Sequence, residues 1–142
     1  MKITPLDRSS LLALARHSVD ALLREPGLKN KSGWTDSLTR ELTVQHNDPA
    51  ALFVTLKLNG NLRGCMGTVR AVQPLLTTVS RIACLAAFDD PRFPPLSPAE
   101  LPLVKFEISV LSPFTKIAGP DEIKPKVHGV MVQRKGSSGL LL

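Results

Sequence analysis

Between Leu52 and Gly67 the chain has few folding options. Leu52-Phe-Val-Thr-Leu-Lys-Leu58 is a run of aliphatic, aromatic and β-branched residues, and Asn59-Gly60 follows it directly. Asn and Gly both tolerate the positive φ that a type I′ turn demands, which makes this dipeptide a strong short-range hairpin signal. The returning segment Asn61-Leu-Arg-Gly-Cys-Met-Gly67 should pair antiparallel with the first. With a two-residue turn, Leu58 opposes Asn61, Leu56 opposes Arg63 and Val54 opposes Cys65. Alternation then places Arg63, Cys65 and Gly67 on one sheet face and Leu62, Gly64 and Met66 on the other. A bulge at Gly64 would reverse that assignment.

The flanking segments supply helices. Thr4-Pro5-Leu6-Asp7 has a capping Thr, a first-turn Pro and an acid at the capping-box position. Leu11, Leu14, Ala15, Val19, Leu22 and Leu23 recur at helical spacing until Pro26-Gly27 ends the run. Residues 27–50 read as polar and irregular, with Trp34 as a packing anchor and His46-Asn-Asp-Pro49 as a turn into the strand. After Gln73-Pro74, the residues Leu75, Leu76, Val79, Ile82, Ala83, Ala86 and Ala87 mark a second helix, closed by Asp89-Asp90-Pro91. Its small side chains predict close packing on the sheet, with Cys84 a buried, inert thiol. Ser97-Pro-Ala-Glu100 is another capping box, opening a single turn. Val104, Phe106, Ile108 and Val110 alternate with polar residues as a half-buried strand. Val127 to Gln133 reads as a further strand, Arg134 to Gly139 as a turn, and Leu140-Leu-Leu142 as the start of a partner strand. Ending on that apolar run, the chain reads as one whose C-terminal part is missing.

Size and composition narrow the class. The 142 residues fit one domain, spanning 1–142, with enough hydrophobic content (43%) for a core without staples. No apolar run approaches the roughly 18–20 residues of a membrane span. Met1-Lys-Ile-Thr-Pro leads straight into the first amphipathic pattern without the features of a signal peptide, so the cytoplasm is the expected compartment. Two cysteines there are expected to be free thiols. Scattered His17, His46 and His128 match no zinc spacing with Cys65 and Cys84, and neither metal nor cofactor is expected. The net charge of +6 raises the question of nucleic acid. The basic residues are dispersed, however, and the absence of Tyr with one Trp and five Phe leaves no obvious stacking platform.

Taken together, Gly60-Asn-Leu-Arg-Gly-Cys-Met-Gly67, Ala86-Ala-Phe-Asp-Asp-Pro-Arg-Phe-Pro-Pro-Leu96, Glu107-Ile-Ser-Val-Leu-Ser-Pro113 and His128-Gly129 resemble the AMMECR-type domain, known in prokaryotes as AmmeMemoRadiSam system protein A. The resemblance covers nearly the whole chain. It implies an α/β domain of the α+β type, with a mainly antiparallel sheet, packed helices and a smaller helical lobe. It also implies a C-terminal extension beyond residue 142 and an association with a Memo-like protein and a radical-SAM protein. It does not imply a reaction.

Two functional readings follow from the residues. In the first, Cys65 is a nucleophile. A thiolate is the reactive form, and a nearby cation lowers a thiol pKa from about 8.5. Arg63 would supply that cation and could hold an anion bidentately. Arg92 is a second anion ligand, and His128, with Gly129 beside it, is the best available base. In the second, the Arg63–Cys65 face and the Arg92 loop form a non-catalytic groove for a partner protein, a peptide or a small anionic ligand. Gly64 and Gly67 are binding candidates in both, by keeping the approach clear. Against both stands a structural role: glycines admitting a bulge or a helix, a small buried Cys65, and Arg63 and Arg92 tied to Asp89, Asp90 or Glu107.

Overall fold

A computed structural model describes residues 3–40 and 47–141. They form two compact units, residues 1–112 and 113–142, each described by itself. The fold is α+β, with helices and antiparallel sheet as the sequence predicts.

Helix α1 spans Pro5–Arg24 and opens on the expected capping box. The Asp7 N–H donates to Thr4 Oγ1 at 3.2 Å, and the Thr4 N–H donates back to Asp7 Oδ2 at 2.9 Å. Its buried stripe of Leu11, Leu14, Ala15, Ser18, Val19 and Leu22 packs on helix α3, Leu75–Phe88. Small residues let the two helices approach closely. At their contact the fully buried hydroxyls of Ser18 and Ser80 share a 2.7 Å hydrogen bond, and Ser18 also donates to the Leu14 carbonyl. The start of α3 is anchored from the segment before the hairpin. Asn47 Oδ1 accepts the Leu76 N–H, and the Asp48 carbonyl accepts the Leu75 N–H. The 47–49 turn is thereby a cap as well as a connection. His46 lies outside the described residues.

One short element escapes the sequence pattern. Residues 34–39 form helix α2, Trp34–Thr39, after a 3-10 turn at Pro26–Asn30. Trp34 packs against the core, as its role as an anchor predicts.

Strands β1 (Leu52–Leu58), β2 (Asn61–Thr68) and β3 (Lys105–Val110) form an antiparallel sheet in the order β2-β1-β3. Leu52, Val54 and Leu56 of β1 are fully buried beneath α3, while α1 packs on α3 and β3. Phe53, Thr55 and Lys57 alternate onto the other face. Arg16 of α1 joins helix to sheet: its guanidinium donates to the Leu101 and Val104 carbonyls just before β3 and lies 4.9 Å from the Phe106 ring centre.

The hairpin forms at Asn59-Gly60, both with positive φ (51° and 80°), and Leu58 opposes Asn61 as expected. The register then slips by one residue. Leu62 opposes Lys57 and Gly64 opposes Leu56, leaving Arg63 as the extra residue of a bulge. Cys65 consequently opposes Thr55, not Val54, and Met66 takes Val54. The predicted pairings of Arg63 with Leu56 and Cys65 with Val54 are thus corrected. The reason lies in Gly64: the bulge turns it toward the end of α3, where a Cβ would come within 2.2 Å of the Ala86 carbonyl oxygen. No side chain fits between strand and helix there.

The second unit holds a 3-10 turn at Pro120–Glu122 and a hairpin of β4 (Val130–Arg134) and β5 (Ser137–Leu141). Lys135 and Gly136, with φ of 42° and 85°, make a tighter turn than the sequence reading placed there.

The Gly64 contact is testable. A methyl group there meets backbone, which cannot rotate away, so G64A should destabilise the first unit by about 2–3 kcal/mol. Urea unfolding followed by far-UV circular dichroism measures this; a loss under about 0.5 kcal/mol would refute the close-approach role.

Candidate functional site around Cys65

Cys65 sits on β2, an edge strand. Opposite Thr55 it occupies a non-hydrogen-bonded position, so its N–H and C=O point away from β1 toward the open edge. Side chains fill both. Asp90 Oδ2 accepts the Cys65 N–H at 2.9 Å, and Arg92 Nη2 donates to the Cys65 carbonyl at 3.3 Å. A carboxylate and a guanidinium thus stand where a neighbouring strand's backbone would be.

Asp90 and Arg92 also hold each other. Asp90 Oδ1 accepts from the Arg92 backbone N–H at 3.1 Å and from Nε at 3.0 Å, and Oδ2 accepts from Nη2 at 2.8 Å. The Asp90 carbonyl accepts the Phe93 N–H, closing a tight turn over Pro91. The pair is one-sided: the Asp90 side chain is 2% exposed and that of Arg92 is 56%. The hydrogen bond from Arg92 holds the Asp90 carboxyl well below the usual carboxylate range. Burial opposes that effect, and the Cys65 and Arg92 backbone N–H groups reinforce it. The Arg92 pKa is raised, first by the bond to Asp90 and also by the charges of Asp90 and Cys65.

The thiol points to the sheet face away from the helices. Cys65 Sγ lies 3.3 Å from Thr55 Oγ1, within hydrogen-bonding reach. On the same face Lys57 and Glu107 form an ion pair at 2.9 Å. Gly67 does not leave an open path beside the thiol, because the Phe53 ring lies against it; a Cβ there would be 2.2 Å from the ring. Cys84, buried in α3, has its thiol pushed up to about 12 by burial, with the charge of Asp89 adding to the effect. It fits the inert role.

Arg63 leaves in another direction. Nε and Nη2 meet the two oxygens of Glu100 at 2.7 and 3.1 Å, while Nη1 and Nη2 reach the Pro94 and Pro95 carbonyls at 3.0 and 3.5 Å. The residue is buried. Its guanidinium does not face an anion in solvent, and it does not share the surroundings of Cys65. Glu100 is further fixed by the N–H and hydroxyl of Ser97, each at 2.9 Å, so the predicted capping box doubles as the arginine's receptor. The bond from Arg63, followed by the Ser97 N–H, lowers the Glu100 pKa from 4.5 to about 2.

His128 belongs to the second unit. Its Nδ1 accepts the Lys124 N–H at 3.2 Å, and its own N–H donates to the Lys124 carbonyl, in a local exposed turn. Among the described residues, no cluster of three or more His, Cys, Asp or Glu is placed to hold a metal ion, and no helix is long and apolar enough to cross a membrane.

Thr55 and Glu100 were missed as members of the site or its frame, whereas Asp90, named among the acids that could tie the arginines, is the partner of Arg92. Thr55 is hidden by the bulge, which moves every later pairing by one. Asp90 had a visible signal, since an acid two residues before an arginine across a proline suits a tight turn. Glu100 had one too: a capping-box acid has an oxygen to spare for an arginine.

With that geometry in hand, comparison with known proteins is specific. The AMMECR1 family model matches residues 12–142. A Nanoarchaeum equitans protein is 43% identical over 109 residues, covering 72% of this chain and 61% of its own length. A Methanothermobacter thermautotrophicus protein is 37% identical over 151 residues, covering 100% of this chain and 75% of its own. The solved structure of an uncharacterized Pyrococcus horikoshii protein superimposes with a TM-score of 0.74 at 30% identity, over 93% of this chain and 66% of that one. The chain therefore spans between about three fifths and three quarters of these relatives' length.

Both carboxylates that organise this region have lower pKa values folded than their ordinary 3.8 and 4.5. Their contribution to stability is complete above about pH 5 and is lost as pH falls through the ordinary values toward about 2, the folded value of Glu100. Urea midpoints measured from pH 7 to pH 2 should fall across that window. E100Q should flatten the fall and lower the pH 7 stability by about 2 kcal/mol, through the unpaired Arg63.

Proposed function

The chain belongs to the AMMECR1 family, and from that membership we propose that it serves as a non-catalytic binding module beside a Memo-like and a radical-SAM protein. The surface it would use is the Cys65 edge of β2 with the exposed guanidinium of Arg92. The observation that carries this reading is the fixed, half-exposed Arg92, clamped by buried Asp90 against the Cys65 carbonyl. An arginine whose fork is already oriented loses little freedom on meeting a carboxylate or phosphate, which favours recognition of an anionic group on a partner protein or small ligand. Arg63, spent on Glu100, acts as frame.

A second reading keeps Cys65 as a nucleophile. What favours it is the contrast between the two thiols: Cys65 is half-buried beside a hydroxyl, whereas Cys84 is enclosed and pushed up to about 12. Two variants separate the readings, assayed with the Memo-like and radical-SAM proteins of the same organism. If the module reading holds, R92A weakens the complex at least about tenfold, as expected for losing a charge-assisted contact. C65S then leaves any turnover of the assembled system within about twofold. If C65S abolishes turnover while calorimetric titration shows the complex intact, the module reading falls and the nucleophile reading takes its place.

A further inference from the structure

Asp90 touches both half-buried Cys65 and exposed Arg92 of the proposed binding surface and is itself buried. One oxygen, Oδ2, accepts the Cys65 N–H and Arg92 Nη2 at 2.9 and 2.8 Å, and that Nη2 returns to the Cys65 carbonyl. Strand amide, carboxylate, guanidinium and strand carbonyl close a ring. We infer that Asp90 is the positioning residue of this surface: it holds Arg92 against the Cys65 edge and cancels the arginine's charge as felt by the thiol.

The inference rests on reading this surface as the binding site, and it sharpens what that surface offers. An unaccompanied guanidinium beside a thiol draws it toward the thiolate. With Asp90 in contact the local pair is neutral, while the outer side of the guanidinium still faces solvent. On the sheet face of Cys65 stand the Lys57–Glu107 ion pair and Lys105, which opposes Lys57; Thr55 is uncharged, and α3 approaches β2 at Gly64 through the Ala86 carbonyl.

Alkylation by iodoacetamide, in which the thiolate sulfur displaces iodide, reads the thiol directly and needs no partner. The inference and the module reading can therefore fail separately. D90N leaves Arg92 uncompensated, so the pH midpoint of Cys65 alkylation should move down by about half a unit and the rate at pH 7 rise about threefold. R92Q leaves Asp90 uncompensated beside the same strand, and the midpoint should move up by a similar amount. Loosening of the strand alone would speed alkylation in both variants. Shifts in the same direction, or no shift in R92Q, overturn the inference. Cys84 reports on folding within each sample: if D90N makes it reactive, R92Q decides alone, since Arg92 is on the surface.

Discussion

The Cys65 N–H bond to Asp90 is the contact on which the arrangement of the open β2 edge depends. β2 is an edge strand, and an edge amide with no neighbour is left to water or to another chain. Here it is given to a carboxylate that is almost wholly enclosed. Enclosing a charge costs several kcal/mol unless donors surround it. Asp90 has them: the Cys65 and Arg92 backbone N–H groups and two nitrogens of the Arg92 guanidinium. Removing any of these donors would leave the others holding a poorly satisfied buried ion. The post-helical turn, the strand edge and the arginine are consequently set as a unit, and the turn can form only where α3 ends and Pro91 bars its continuation.

The two arginines of the region illustrate how residue type underdetermines role. Arg63 and Arg92 both meet a carboxylate bidentately, and both lie near Phe93, at 6.0 and 5.6 Å from its ring centre. Burial divides them. Arg63, 10% exposed at its side chain, has its donors directed at Glu100 and two proline carbonyls, and a ligand would have to break those bonds to reach it. Arg92 lies on the surface with its partner beneath it. The same fork chemistry therefore builds the frame in one case and remains available in the other.

Much of the fold was legible because its signals are local. The α1 capping box, the helical spacing of α3, the Asn59-Gly60 turn and the alternation in β3 each depend on residues a few positions apart, and each formed as read. Helix α2 was not legible: Trp34–Thr39 is too short for a periodic stripe, and a Gly33 in the left-handed region introduces it instead of a capping side chain. The bulge at Arg63 was legible only as an option. Whether a glycine in a strand marks a bulge depends on what approaches it, and here that is Ala86, more than twenty positions further along. Every side-chain assignment after Leu62 inherited that uncertainty, which is why Cys65 was placed opposite Val54 instead of Thr55.

The bulge also bears on function. Had the strands paired without it, Arg63 would share the face of Cys65, and two arginines would flank one thiol. The extra residue frees Arg63 to reach Glu100 and leaves Arg92, bonded to the Cys65 carbonyl and paired with Asp90, as the arginine of the Cys65 edge. An exposed guanidinium locked in place is, by the same geometry, a better anchor than a mobile one. The one-residue slip between Leu56 and Lys57 thus commits the arginine of the Leu-Arg-Gly-Cys-Met-Gly segment to the frame and leaves the exposed fork to Arg92.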